Sequence, residues 1–232
     1  MRPHRFAAVL LAAALALGAG CGTGPDPKPQ PPAGLQPPND SPKNTILRFI
    51  AAYEAKKTVE CQALFTGDFT FEFSNSADPA LANEWAAGWF ASDESVYVKN
   101  LFLGGANQDG VYQEPASSID LIFGATEPVA DTDSGDPAKF QVLSTPVDAI
   151  FVVPPTPPAT DPTQYIVTNN SHRFFLVRGD AAAGLKATQP ADSTLWYIWK
   201  WKDETTGVGG APTAVQGGVA PSTWGGLKAT YR

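Results

Sequence analysis

Apolar residues recur at helical spacing in the segment that begins at Ser41. Ser41 followed by Pro42 is typical of a helix start, with Ser as the N-cap and Pro at the first helical position. The next apolar residues lie three or four apart, as one face of a helix requires: Ile46, Phe49, Ile50 and Tyr53. A second, shorter helix is predicted from Thr58 to the stop signal at Gly67. Its inner face carries Cys61, Leu64 and Phe65.

Between residues 68 and 104, the spacing of apolar residues is typical of a strand in one segment and of helices in two others. Residues 68–73 alternate strictly between polar residues and phenylalanine, which predicts a strand with one aromatic face. A helical stretch is predicted from Asp78 and Pro79, because its apolar residues lie four apart: Leu81, Trp85 and Trp89. Another helix is predicted from Ser92 to Gly104, with the apolar residues Val96, Tyr97, Leu101 and Phe102.

From residue 118 onward, β-branched and aromatic runs alternate with loops rich in Gly, Pro and Asp. The predicted strands span residues 118–123, 146–153, 164–167, 173–178 and 194–202. In the last of these, alternation places four apolar residues on one face, as in a central strand of an antiparallel sheet: Leu195, Tyr197, Trp199 and Trp201. Residues 223–231 are predicted as a closing strand with Trp224 and Leu227 directed inward. Helices followed by an antiparallel sheet predict an α+β fold.

The N-terminal end of the chain has the features of an export signal. Arg2 and Arg5 provide a short cationic start, and residues 6–17 form an unbroken apolar run. A bilayer-spanning helix takes about 20 apolar residues, so the run favours a secretory signal peptide over a membrane anchor helix. We therefore predict a signal peptide over residues 1–20.

A single cysteine follows the apolar run. Gly18, Ala19 and Gly20 precede Cys21, and small residues directly before a cysteine resemble the lipobox of bacterial lipoproteins. The resemblance implies that Cys21 receives a diacylglycerol through its sulfur and anchors the protein in the membrane. Gly18 stands where a lipobox usually has leucine, which leaves an ordinary cleaved secretory protein as the alternative. Gly22 replaces the Asp associated with inner-membrane retention, so the resemblance implies an outer-membrane lipoprotein facing the periplasm.

Composition and charge narrow the possible partners. The chain has 16 Lys and Arg against 23 Asp and Glu, and cleavage after residue 20 lowers its formal charge from −7 to −9. This acidic balance argues against nucleic acid as a partner. Two Cys and two His are too few for a Cys/His zinc cluster once Cys21 is lipidated, and we expect no metal and no cofactor. Residues 21–40 are rich in proline and predict a stiff tether, which leaves residues 41–232 as one domain.

Several motifs in this domain carry a family resemblance. They lie in residues 42–53, 61–65, 68–71, 94–102, 196–203 and 223–228. Together they resemble the SnoaL-like and nuclear transport factor 2-like (NTF2-like) domains, including those of bacterial lipoproteins. The resemblance implies a strongly curved sheet that wraps the N-terminal helices into a cone with a pocket. Family members with activity place an Asp, or a Tyr and Asp pair, inside that cone as general base and oxyanion donors.

The motifs do not assign those roles to particular positions here, so candidate pocket residues are chosen by type. They are Tyr53, Phe71, Asp120, His172, Tyr197 and Trp199, with Glu72 as a further candidate base. Glu72 and Asp120 alternate with apolar positions, so solvent-facing side chains are expected at both. Tyr53 and Tyr197 are expected to be core aromatics whose hydroxyl groups reach a wet edge.

His172 has two interpretations. It is the only histidine that remains after cleavage of the signal peptide, and it could act as a general base. The Asn-Asn-Ser turn signal at residues 169–171 instead predicts a polar residue just after a turn.

Two functions from different classes follow from these observations. In the first, the domain is a non-catalytic binding or assembly module that holds an apolar small molecule or a partner. In the second, it is an enzyme of isomerase or cyclase type that uses a buried carboxylate as its general base. The lone histidine and the absence of a nucleophile motif favour the binding module. Exposed sheet faces in such a fold also make a homodimer possible.

Overall fold

Helices dominate the first half of the domain and long strands dominate the second. A computed structural model describes residues 37–130, 135–155, 160–206 and 219–232. The helices are α1 (Pro42–Glu54), α2 (Thr58–Gln62), α3 (Pro79–Glu84), α4 (Ala91–Leu103) and α5 (Trp224–Tyr231). The strands are β1 (Phe65–Glu72), β2 (Trp89–Phe90), β3 (Gly105–Ala106), β4 (Tyr112–Gln113), β5 (Ser118–Phe123), β6 (Glu127–Val129), β7 (Phe140–Val153), β8 (Thr163–Arg178), β9 (Trp196–Asp203) and β10 (Val219–Ser222). The predicted signal peptide, Cys21 and most of the predicted tether lie outside the described residues.

The first helix forms as the sequence predicts. The Ser41 hydroxyl accepts a hydrogen bond from the backbone N–H of Asn44 at 3.2 Å, which satisfies one of the free donors at the helix start. The buried face of α1 includes Ile46, Phe49 and Tyr53. The second helix is shorter than predicted, because the chain leaves it after Gln62 to enter β1. Among the described residues, no helix is long and apolar enough to cross a bilayer.

The domain has an α+β fold, and its sheet is curved and mixed. Its main strand order is β2-β1-β9-β8-β7-β5, with β10 beside β8 and β6 beside β7. Most neighbours are antiparallel, but β1 runs parallel to β9 and β10 runs parallel to β8. The predicted α+β fold class is therefore confirmed, but two strand pairs of the sheet are parallel where antiparallel pairing was expected. Long crossovers rather than hairpins connect those two pairs, and this permits the parallel direction.

Strand β8 corrects the prediction of two strands separated by a turn. Its 16 residues run through the Asn-Asn-Ser segment without a break. The Asn170 side chain does not form a turn but accepts a hydrogen bond from the Thr205 hydroxyl at 2.9 Å. Asn170 and Ser171 pair with β7, and the Ser171 carbonyl accepts a hydrogen bond from the N–H of Glu204 at 2.7 Å. These contacts override the local turn preference of this segment.

Helix α5 corrects the prediction of a closing strand over residues 223–231. The Thr223 hydroxyl accepts a hydrogen bond from the N–H of Gly226 at 2.9 Å and caps the helix. Trp224 and Leu227 are buried as predicted, but they lie on a helix face together with Lys228 and Tyr231. Residues at spacings of three, four and seven share one face of a helix, so all four side chains enter the core.

Two tryptophans predicted in one helix are found in different elements. Helix α3 ends at Glu84, before Trp85, and Trp89 lies in β2. Gly88 lies between them with a φ of +110°, a conformation that side-chain-bearing residues rarely adopt. This turn brings the ring of Trp89 into the core.

An aromatic core fills the space between the helices and one face of the sheet. Phe49 of α1 lies at its centre, with ring centroids 5.1 Å from Tyr53, 5.4 Å from Trp201 and 5.9 Å from Phe174. Trp224 of α5 packs 5.1 Å from Trp201. Tilted and edge-to-face contacts of this kind are the favourable geometries for aromatic pairs. The core is therefore made mainly of rings contributed by every layer of the fold.

Candidate functional site

The six candidate pocket residues occupy three places in the structure. Tyr53, Phe71 and His172 are buried in the aromatic core. Tyr197 and Trp199 belong to the opposite face of the sheet. Asp120 is exposed on β5, between the buried residues Ile119 and Leu121. Glu72, the further candidate base, is exposed and forms an ion pair with Lys200. The structure therefore brings together only two subsets of the six residues.

The core contains an ion pair that the sequence analysis did not predict. The Lys228 ammonium group of α5 contacts the Glu94 carboxylate of α4, and both residues are almost fully buried. The indole N–H of Trp89 donates a hydrogen bond to the same carboxylate oxygen at 2.9 Å. A helical interpretation of residues 224–231 would have indicated Lys228, because it shares the face of Trp224 and Leu227.

Four aromatic rings surround the Lys228 ammonium group. The distances from its Nζ to the ring centroids are 4.4 Å for Phe71, 4.6 Å for Tyr97, 4.7 Å for Trp201 and 5.4 Å for Trp89. All four lie within the range of about 6 Å for cation–π attraction. Burial lowers the pKa of Lys228, and the Glu94 carboxylate opposes that change. We call these four rings and the Glu94 carboxylate the ammonium cage.

His172 lies beside this cage rather than at a surface turn. Its Nδ1 accepts a hydrogen bond from the indole N–H of Trp201 at 3.0 Å, so the ring proton of the neutral imidazole is on Nε2. Burial, followed by the nearby positive charge of Lys228, lowers the pKa of His172 to about 3. The imidazole is therefore uncharged at neutral pH, and its Nε2 has no hydrogen-bond partner among the described residues.

Burial shifts the pKa of three further polar groups of the core in the direction that favours their neutral forms. Burial raises the pKa of Tyr53 and of Tyr97 well above the ordinary value, and the Glu94 carboxylate raises both further. The Tyr53 hydroxyl is buried, so the expectation that it reaches a wet edge is wrong. Burial also raises the pKa of Asp203, whose Oδ1 accepts a hydrogen bond from the N–H of Thr205 at 2.9 Å.

A groove lies on the face of the sheet opposite to the core. The loop of residues 179–195 crosses this face, where the Gly184 carbonyl accepts a hydrogen bond from the N–H of Gly67 at 2.6 Å. The Gln189 side chain donates to the Ala63 carbonyl at 2.8 Å. Between this loop and the strands is a cavity of about 250 Å³, which we call the outer-face groove. It is lined by Asp68, Phe140, Val177, Trp199 and residues 181–183.

An irregularity in β9 separates Trp199, which lines this groove, from Trp201, which enters the core. Ile198 pairs with Leu176 and Lys200 pairs with Phe175, so Trp199 is an extra residue in β9 relative to β8. The extra residue shifts the alternation, and Trp201 enters the core while Trp199 does not. The prediction that Tyr197, Trp199 and Trp201 share one face is therefore wrong. Tyr197 lies under the loop, and its hydroxyl donates to the Pro190 carbonyl at 3.3 Å.

Comparison with known proteins gives structural neighbours only. No family model and no curated protein matches the chain. A candidate scytalone dehydratase from Novosphingobium aromaticivorans is 10% identical, with a TM-score of 0.45 and coverage of 71% of this chain and 81% of that one. An NTF2-like superfamily protein from Salmonella enterica is 10% identical, with a TM-score of 0.39 and coverage of 74% and 92%. An NTF2-like protein of unknown function in nutrient uptake from Rhodospirillum rubrum is 9% identical, with a TM-score of 0.39 and coverage of 69% and 94%.

The described residues provide two arrangements with possible chemistry. One is the buried ammonium cage, and the other is the outer-face groove. Among the residues that the structure covers, no group of three or more His, Cys, Asp and Glu side chains is placed to hold a metal ion. The α+β domain thus has a closed polar cluster on one face of its sheet and an open apolar groove on the other.

Proposed function

We propose that this protein is a lipid-anchored, non-catalytic binding module that holds a small apolar ligand in the outer-face groove. The observation that carries this proposal is the occupation of the ammonium cage by Lys228, a side chain of the protein itself. A substrate would have to displace that side chain to reach the polar groups of the core. The groove needs no such rearrangement, because it is already open at the surface.

The chemistry of the groove indicates the class of ligand. Phe140, Val177 and Trp199 provide an apolar wall, and Asp68 provides one exposed carboxylate. Ligand pockets typically occupy roughly 300–1,000 Å³ and combine apolar walls with few polar groups. The groove, at about 250 Å³, lies just below this range, so it suits a small ligand of one or two rings. The carboxylate favours a ligand that carries a positive charge or a hydrogen-bond donor.

Binding to the groove can be tested with three probes of one shape. We expect 1-naphthylmethylamine to bind more tightly than 1-naphthalenemethanol, and 1-naphthoate to bind least, as measured by calorimetry. Trp199→Ala should remove most of the affinity for all three probes, because it removes the largest apolar wall. Asp68→Asn should remove only the preference for the amine, which is worth about 1 kcal/mol or less for an exposed charge. Unchanged affinities in Trp199→Ala would contradict this location of the site.

The lipid anchor leads to a separate prediction. Cys21→Ser should move the protein from the membrane fraction to the soluble fraction, because stable anchoring depends on the acyl chains. Cys61→Ala is the matched control, since Cys61 is a buried free cysteine of the domain core. Fractionation followed by immunoblotting measures both variants. Membrane association that survives Cys21→Ser would refute lipidation at this residue.

An isomerase-type enzyme is the second candidate, and Asp203 is the observation that favours it. Its carboxyl group is buried, its pKa is raised, and its Oδ2 has no partner among the described residues. It pairs across the strands with His172. A general base needs such a raised pKa, but it also needs access to a substrate. Isomerisation of an enolisable ketone that is lost in Asp203→Asn would favour the enzyme over the binding module.

A further inference from the structure

We propose that the ammonium cage is a binding site for an alkylammonium ion, and that Lys228 is its built-in occupant. This site lies in the core and is independent of the outer-face groove. Its ligand class follows from the groups that surround the Lys228 nitrogen, and not from the identity of any neighbour.

The cage is built by parts of the fold other than the helix that fills it. Trp89 of β2, Phe71 of β1 and Trp201 of β9 are cross-strand neighbours in the sheet. Tyr97 and Glu94 come from α4, whereas Lys228 comes from α5. Loss of the Lys228 side chain therefore removes the occupant and leaves the walls in place.

The walls select for a positive charge. Aromatic rings attract a cation through their negative faces, and such cages recognise organic ammonium groups. The Glu94 carboxylate supplies the counter-charge and is held in position by the indole N–H of Trp89. Its second oxygen, Oε1, is buried and has no partner among the described residues, so it can accept a further hydrogen bond from an ammonium group.

Stability alone does not account for a lysine at this position. Replacement of a buried ion pair by apolar residues of similar volume is often neutral or stabilising. The side chain that enters the cage is itself an n-butylammonium group attached to α5. The helix that carries this side chain, α5, has little stability of its own. It has eight residues, and two of them, Gly225 and Gly226, are poor helix formers.

The proposal can be tested by supplying a free alkylamine to a cage whose lysine has been truncated. In the full-length Lys228→Ala variant, n-butylamine should bind the vacated cage and raise the thermal midpoint by several degrees in a saturable manner. n-Butanol has a similar shape without the charge, and at the same concentration it should raise the midpoint far less. Equal effects of the two compounds, or no effect of either, would overturn the proposal.

Matched variants separate the cage from general effects of amines. Lys99→Ala removes an exposed lysine from α4 and should show no midpoint increase with n-butylamine. The double variant Glu94→Leu with Lys228→Met fills the cage with apolar groups and should also show none. Adding Trp199→Ala to Lys228→Ala should leave the response intact, which distinguishes this site from the outer-face groove. If Lys228→Ala does not fold alone, n-butylamine in the refolding buffer should restore folding, and failure to do so also overturns the proposal.

Discussion

Replacing Glu94 by alanine should lower the free energy of unfolding by about 3–5 kcal/mol, which is a large part of the stability of an ordinary domain. The substitution leaves the Lys228 ammonium group buried without its counter-charge, and it removes the acceptor for the indole N–H of Trp89. Urea unfolding followed by circular dichroism would measure the change.

The control for this prediction is a solvent-exposed ion pair of the same protein. Glu60 lies near Lys57 at a distance of 3.2 Å, and both side chains are exposed by more than a third. Glu60→Ala should therefore change the free energy of unfolding by about 1 kcal/mol or less. The double variant Glu94→Leu with Lys228→Met should lie much closer to the original protein than Glu94→Ala does. A small effect of Glu94→Ala would mean that the buried charge is not desolvated as the structure indicates.

The second large effect concerns two tryptophans of the same strand. Trp201→Ala should cost about 3–5 kcal/mol, because it opens a cavity in the core and removes ring contacts with Phe49, Phe71 and Phe174. It also removes the hydrogen bond to Nδ1 of His172. Trp199→Ala should cost only about 1–2 kcal/mol, because the groove side of that ring is already open.

Comparison of these two variants tests the strand irregularity itself. Strict alternation places Trp199 and Trp201 on the same face of β9, so it predicts equal losses of stability when either is replaced by alanine. The structure predicts a clear difference, which the same urea unfolding experiment would measure. Equal losses would show that the alternation, and not the extra residue at Trp199, describes β9.

Sequence patterns predicted the elements that depend on local amphipathicity. Helix α1 and strand β1 follow from regular spacing of apolar residues and from a Ser-Pro start signal. The extra residue in β9 was not predictable, because a run of tryptophans looks the same with or without it. The full length of β8 was missed because its turn-forming residues are held extended by pairing with β7, which lies far from them in the sequence pattern.

The candidate sites were less predictable than the fold. Glu94 and Lys228 are 134 residues apart in the chain, and each looks like an ordinary charged residue in its own segment. Their contact depends on α5 being a helix, whereas residues 223–231 were predicted as a closing strand with Trp224 and Leu227 directed inward. Trp199, a candidate pocket residue, lines the outer-face groove, but the predicted face that it shares with Trp201 was wrong for the reason given above.

The parallel pairing of β1 with β9 has a consequence for the order of events during synthesis. Residues 65–72 pair with Trp89 and Phe90 nearby in the chain, but their second strand neighbour is at residues 198–202. A chain that emerges with its N-terminal end first must therefore wait for most of its length before this part of the sheet can close. Long-range pairing of this kind slows folding.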